Sequence, residues 1–335
     1  MKKVLILTLV LFLAMTSASY AQKQYRFGLA LQTLQNPFYI SLNEGAQKAA
    51  ARFGDVKLFV TGAEHSTDLV TQVRQIEDFI AMKADAIGVV VMERKGILPT
   101  LEKVKKAGIP LLTVDTDSDG GPREGFIAAD EELNGVVGAQ WIAETFFGRS
   151  AKIAIMEGAP GSQTNVDRLR GFHSVIDKHQ NIKVVSSLTG KWRRDEGMRV
   201  MNDLITAHPD LEAVMCMNDE MALGAVEALR TRGKIKQVKL LGINGAEEAI
   251  QQVYRGNMAA DVVNYPEVIG EIFVYWARKI AQGEKLPAAF PKTKTDPPAP
   301  FVPCPVGIVD NNMLHMKIGP ALKKIVPEIK EYKDM

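Results

Sequence analysis

Side chains able to hold hydroxyl groups recur at the ends of short apolar runs: Gln32 with Asn36 and Phe38, Met92-Glu93-Arg94, Asp115, Asn218, Asn244 and Asn264. Most are amides or carboxylates, which accept from hydroxyls and, as amides, also donate to them. Other chemistry lacks its residues. No stretch carries the phosphate-cradling pattern ending in Gly-Lys-Ser/Thr, no glycine triplet follows the first strand, and there is no Gly-x-Ser-x-Gly elbow. His65, His173, His179, His208 and His315 are scattered without partners at metal-ligand spacing, and they read as surface or capping residues. Asp219 and Glu220 are adjacent, so on a helix they do not converge as acid and base; they read as a cap and a first-turn charge. No cofactor or metal is expected, and an enzyme is not indicated.

The elements that position these residues alternate between strand and helix periods, the pattern of an α/β protein with parallel sheets covered on both faces. Strands are expected at Arg26–Leu31, Val56–Val60, Ala86–Val91, Pro110–Asp115 and Gly125–Ala128. A second series covers Lys152–Met156, Val184–Leu188, Ala213–Asn218, Lys239–Asn244 and Ala259–Asn264, so the architecture is duplicated. Between them, Leu69, Val73, Ile76 and Ile80 build one apolar helical stripe, and Leu98, Leu101 and Val104 build another. Asn36-Pro37 starts the first helix with a cap and a proline, and Gly54 closes it. In open α/β sheets ligands bind outside the carboxyl ends of strands, where the polar residues named above fall.

The start of the chain combines Lys2 and Lys3, an apolar run from Val4 to Met15, and Ser19-Tyr20-Ala21. This is the form of a signal peptide (residues 1–21) cleaved after Ala21, and the run is too short to span a bilayer. A periplasmic protein not embedded in the membrane is expected. The remaining ~314 residues exceed what one core usually covers, so two domains are expected. The formal charge of +2 falls to zero without Lys2 and Lys3, which leaves no basic excess for nucleic acid. Cys216 and Cys304 are the only cysteines; they read as free thiols, although export permits a bridge.

With these elements placed, local stretches become recognisable: Leu34-Gln35-Asn36-Pro37-Phe38-Tyr39, Gly108-Ile109-Pro110 leading into Asp115, Arg168 with Gly171-Phe172, Thr206-Ala207-His208-Pro209-Asp210, and Asn218-Asp219-Glu220-Met221-Ala222-Leu223-Gly224-Ala225. Over residues 25 to 290 the chain resembles the periplasmic sugar-binding proteins of ABC importers (type I periplasmic binding proteins), most closely the ribose-binding branch. The resemblance implies two Rossmann-like lobes joined by three crossovers, near Ala128–Asp130, Asn264–Pro266 and Pro298–Val302. The N-terminal lobe would hold residues 22–128 and 265–298, and the C-terminal lobe 129–264 and 299–335. It further implies rings on both faces of a sugar, Phe38 and Tyr39 from one lobe and Trp192 from the other. Asn36, Asp115, Arg168, Asn218, Asn244 and Asn264 would supply a polar rim, with Gln32 at the position of a serine contact. The implied partners are a small neutral sugar or sugar alcohol and an ABC transporter permease.

Each assignment has a structural competitor. Asn36 and Asn218 suit helix caps, Phe38 suits the core, Trp192 suits a surface loop, and Arg168 suits an ion pair with Asp167 or Glu157. The chain also departs from the ribose-binding pattern. Thr116 follows Asp115 where that branch has an arginine, Asn244 replaces an aspartate, and Val90 or Val91 replaces an asparagine. One arginine and one acid are lost together, which keeps the ligand neutral and argues against ribose itself. Pro297-Pro298-Ala299-Pro300 reads as an extended linker, and Gly319–Tyr332 reads as a terminal amphipathic helix. The alternative function is a periplasmic sensor subunit that presents its ligand to a membrane histidine kinase.

Overall fold

The computed structural model describes residues 23–65, 68–310 and 316–318. The expected leader with its cut after Ala21 and the expected helix Gly319–Tyr332 lie outside the described residues. The first series of elements comprises β1 (Tyr25–Thr33), α1 (Pro37–Phe53), β2 (Val56–Ala63), α2 (Leu69–Ala81), β3 (Ala86–Val89), α3 (Leu98–Lys106), β4 (Leu111–Val114) and β5 (Gly125–Ala129). The second opens with α4 (Glu131–Thr145), β6 (Ala151–Glu157), α5 (Gln163–Ile176), β7 (Ile182–Thr189) and α6 (Arg194–Ala207). It continues with β8 (Ala213–Cys216), α7 (Asp219–Thr231), β9 (Lys239–Asn244), α8 (Glu247–Tyr254) and β10 (Ala260–Val263). After these come α9 (Pro266–Ala281), β11 (Phe301–Cys304), β12 (Val306–Asp310) and β13 (Met316–Ile318).

The strands form two sheets, ordered β11-β5-β4-β3-β1-β2 and β13-β12-β10-β9-β8-β6-β7. The order β2-β1-β3-β4-β5 is repeated as β7-β6-β8-β9-β10, with every pairing among these strands parallel. Helices cover both faces of such a sheet, and β3, β4, β8 and β10 accordingly bury every residue. Strand order reverses between β1 and β3 and again between β6 and β8. At such reversals the loops diverge and leave a crevice at the carboxyl ends of the strands.

Local chemistry accounts for the element ends. Asn36 Oδ1 accepts from Phe38 N at 2.9 Å, Pro37 follows, and Gly54 closes α1 with φ 70°. In α2 the buried stripe is Gln72, Ile76 and Phe79, with Leu69, Val73 and Ile80 only partly covered. The turn of the helix is set by a polar residue: Gln72 donates to Val90 O at 2.8 Å and accepts from Met92 N at 3.2 Å, so its amide replaces missing sheet bonds.

Helices on the same sheet face cross at reciprocal glycines. A Cβ on Gly135 would overlap the Arg168 carbonyl oxygen, and one on Gly171 would overlap that of Glu132, so α4 and α5 lie backbone to backbone. Gly45 with Gly270 joins α1 to α9 in the same way, which fastens α9 to the first sheet although it follows the second in sequence.

The last crossover differs from the expected one. β11 pairs in parallel with β5 in the first sheet, and β12 pairs antiparallel with β10 in the second, so the chain changes lobes at Pro305. Residues 299–304 therefore belong with the first sheet. Pro303 sits in an edge strand, where a missing N–H is tolerated. Cys216 and Cys304 are free, buried and in different sheets. Among the described residues no helix is long and apolar enough to cross a membrane, and no cluster of ligands could hold a metal.

Candidate functional site

The first wall rises from the carboxyl ends of β1, β3 and β4. Gln32 Nε2 donates to Val91 O at 2.8 Å and lies 3.4 Å from Thr116 Oγ1, which ties the end of β1 to the segments after β3 and β4. Asn36 starts α1, and the helix presents Phe38 and Tyr39, whose rings meet edge to face with centroids 5.4 Å apart. The Tyr39 hydroxyl donates to Asp115 Oδ2 at 3.4 Å. Asp115 adopts φ 61°, a conformation in which a non-glycine residue is strained, and it is only 9% exposed. Glu93 and Arg94 turn elsewhere: Glu93 accepts from the Lys95 amide and Arg94 pairs with Asp119.

The second wall is organised by Arg168, which is 4% exposed. Its Nε donates to Glu131 Oε2 at 2.5 Å, and Nη1 donates to Met217 O and to Asn244 Oδ1 at 3.3 Å. The expected competitors for this arginine are occupied: Asp167 pairs with Arg170, and Glu157 accepts from Asn165 and Ser187. The guanidinium also stands 5.7 Å from the Trp192 ring. Lys191 and Trp192 have φ of 53° and 64°, and the indole occupies the space that a Cβ on Gly158 would take. Asn218 holds this loop: Oδ1 caps α7 at Met221 N, 3.0 Å away, and Nδ2 donates to Trp192 O at 3.3 Å. The same asparagine therefore caps α7 and fixes the Trp192 loop.

Asn264 completes the set. Its backbone N–H donates to Asn244 O at 3.2 Å, yet its side chain is fully buried, and neither Oδ1 nor Nδ2 has a partner among the described residues. Buried amides are ordinarily satisfied, whereas this side chain is the one among the ten with both of its polar atoms open among the described residues. Contacts gather the ten residues into two groups: Gln32 (through Thr116), Asn36, Phe38, Tyr39 and Asp115 on the first wall, and Arg168, Trp192, Asn218, Asn244 and Asn264 on the second. The link between the groups is electrostatic. Arg168 from the second lobe acts on Asp115 and Tyr39 from the first, lowering the proton affinity of both.

Burial dominates the titrations here. Desolvation, then the negative charge of Glu131, pushes the Asp115 carboxyl up to about 7 against the pull of Arg168. Desolvation and Asp115 together raise the Tyr39 hydroxyl well above its ordinary range, so it stays a donor.

Three contributors escape sequence reading. Glu131 starts α4 just beyond β5 and supplies the partner of Arg168. Tyr265, with φ 49°, caps α9 at the second crossover and packs against the cores of both lobes. Its place immediately before Pro266 was the available clue, because proline disfavours helical backbone at its predecessor. Asp219 is the third, and it corrects the cap reading. It is 2% exposed, accepts from Ala246 N at 2.7 Å and faces Asp261, while Asn218 is the cap and Glu220 pairs with Arg194. Burial pushes Asp219 up to about 6, and burial followed by the negative charge of Asp219 raises Asp261 well above the usual range. The described histidines are half-buried or exposed, with His173 on Asp177 at 3.0 Å.

Comparison with known proteins gives a consistent picture. The family model described as periplasmic binding protein domain matches residues 27–285. The ribose import binding protein of Bacillus subtilis is 34% identical over 292 residues, covering 84% of this chain and 93% of that protein. An ABC transporter periplasmic solute binding protein from Actinobacillus succinogenes, solved with D-allose bound, superposes with a TM-score of 0.80 at 26% identity, covering 87% of this chain and 99% of that one. An ABC transporter solute binding protein from Bacillus halodurans with bound myo-inositol gives a TM-score of 0.77 at 26% identity, over 88% and 97% of the two chains.

Proposed function

The chain belongs to the periplasmic binding protein domain family, and on that premise we propose that it captures a small neutral sugar or sugar alcohol between two closing lobes for an ABC importer. It is a binding protein and not an enzyme, as are the relatives named above. The observation that carries the reading is the fully buried Asn264, whose side-chain amide has no partner among the described residues, beside the polar groups around Arg168. The C–H faces of a sugar ring or polyol are apolar and pack against Phe38, Tyr39 and Trp192, while its hydroxyls meet Asp115, Arg168 and the amides. Glu131 neutralises Arg168, which disfavours phosphorylated or acidic sugars.

Capture follows from differential affinity. The ligand contacts one lobe in the open form, gains contacts from the other on closure, and so shifts the population toward the closed form. The closed pair of lobes is then the surface that the permease reads. The leader would direct export and be removed after Ala21.

A thermal-shift screen of the mature protein with D-allose, D-ribose, myo-inositol and xylitol tests the reading. At least one should raise the melting temperature, increasingly with concentration. Stimulation of permease ATPase activity by the liganded form would place it in transport. No shift with any sugar or polyol at millimolar concentration would reject capture.

A further inference from the structure

Asp115 is almost buried, accepts a hydrogen bond from Tyr39 and has no cation within ion-pair distance among the described residues. The nearby guanidinium of Arg168 is turned instead to Glu131. Glu131 is itself held, because its Oε2 accepts from Asn134 Nδ2 at 2.9 Å, and Asp130 caps the same first turn through the amides of Glu132 and Leu133. The crossing of α4 and α5 at Gly135 and Gly171 keeps the two charges together.

Resting on the sugar-capture reading, we propose that Glu131 is a positioning residue that holds the Arg168 cation away from Asp115, so that ligand hydroxyls displace a proton from the Asp115 carboxyl and capture is proton-coupled. In this step the carboxyl O–H breaks, the proton passes to buffer, and the carboxylate accepts hydrogen bonds from the ligand. The carboxyl titrates at about 7, pushed there first by burial and next by Glu131. The groups facing it are Tyr39 from α1, Glu131 from α4, Arg168 from α5 and Cys304 from β11. Burial pushes the Tyr39 hydroxyl and the Cys304 thiol up, so both remain protonated near neutrality and Asp115 is the group that exchanges. Asp117, two residues along, is paired with Arg123 at 2.8 Å.

The test is calorimetric titration of the full protein with D-allose, D-ribose and myo-inositol at pH 6, 7 and 8, in two buffers of different ionisation enthalpy. A ligand that binds should do so about tenfold more weakly at pH 6 than at pH 8, and release about half a proton at pH 7. In Glu131→Gln, Arg168 is free to turn to Asp115 and the repulsion is gone, so the midpoint should move to lower pH and the tenfold ratio should shrink. A merely structural Glu131 would weaken binding equally at both pH values. Equal wild-type affinity at pH 6 and 8 with no proton released, or an unchanged ratio in Glu131→Gln, overturns the proposal while leaving capture standing. Should Glu131→Gln fail to fold, the wild-type proton count decides. Absence of binding by all three at every pH removes the capture reading and this inference with it.

Discussion

Replacing Arg168 by Ala probes the centre of the site. The side chain is 5% exposed and its partner Glu131 is 10% exposed, so their attraction is weakly screened. Removal takes away donors to Glu131, Met217 O and Asn244, and leaves buried anionic groups without their cation. Breaking a buried pair on one side costs about 3–5 kcal/mol, because the remaining charge keeps its desolvation penalty without compensation. The pH dependence is distinctive. Arg168 lowers Asp115, Asp219 and Asp261, so its loss pushes these already raised carboxyls further up. A carboxyl whose folded-state value lies above its unfolded value contributes stability at low pH and loses it as pH rises through the folded value. The penalty should therefore be about 3–5 kcal/mol at pH 8 and clearly smaller at pH 5. Urea denaturation followed by circular dichroism at the two pH values measures it, and Arg168→Ala combined with Glu131→Gln should recover part of the loss at pH 8. A cost below about 1 kcal/mol at pH 8, or the same cost at both pH values, would refute the buried-pair reasoning.

Trp192→Ala should weaken sugar binding about tenfold by removing one ring face, with the fold intact by circular dichroism; unchanged affinity in calorimetry excludes the indole from the site. Gly171→Ala places a methyl against the Glu132 carbonyl and should cost about 1–3 kcal/mol in urea denaturation, with weaker ligand binding as α5 moves off α4. Asp261→Asn fixes one member of the carboxyl pair as neutral. Wild-type stability should fall as pH rises through about 6, the value of Asp219, and keep falling as Asp261 ionises at higher pH; the variant should keep the first step and lose the second in the same assay.

Much of the architecture was legible because its causes are local. Alternating periods, the Asn36-Pro37 start and the glycine ends depend on residues a few positions apart, and they place Asp115, Asn244 and Asn264 at or next to strand ends without knowledge of the fold. Of the residues carried by resemblance, Arg168 and Trp192 stand together on the second wall, and Tyr39 meets Asp115 on the first. The short strand Phe301–Cys304 was hidden because Pro303 weakens any strand reading, and only pairing with β5 makes it one. The Arg168 partner was hidden for a different reason. Asp167 and Glu157 are nearer in sequence, but Glu131 is brought in by two helices crossing at glycines, a long-range packing result.

Periodicity and caps by themselves determined two sets of parallel strands with polar residues at their carboxyl ends, since helix and strand patterns are written in neighbouring residues. Tertiary structure alone decided which charges meet, where the chain last changes lobes, and which amide is left unpartnered. Those outcomes depend on how whole elements pack, and solvent exclusion between them sets the strength of every charge in the cleft.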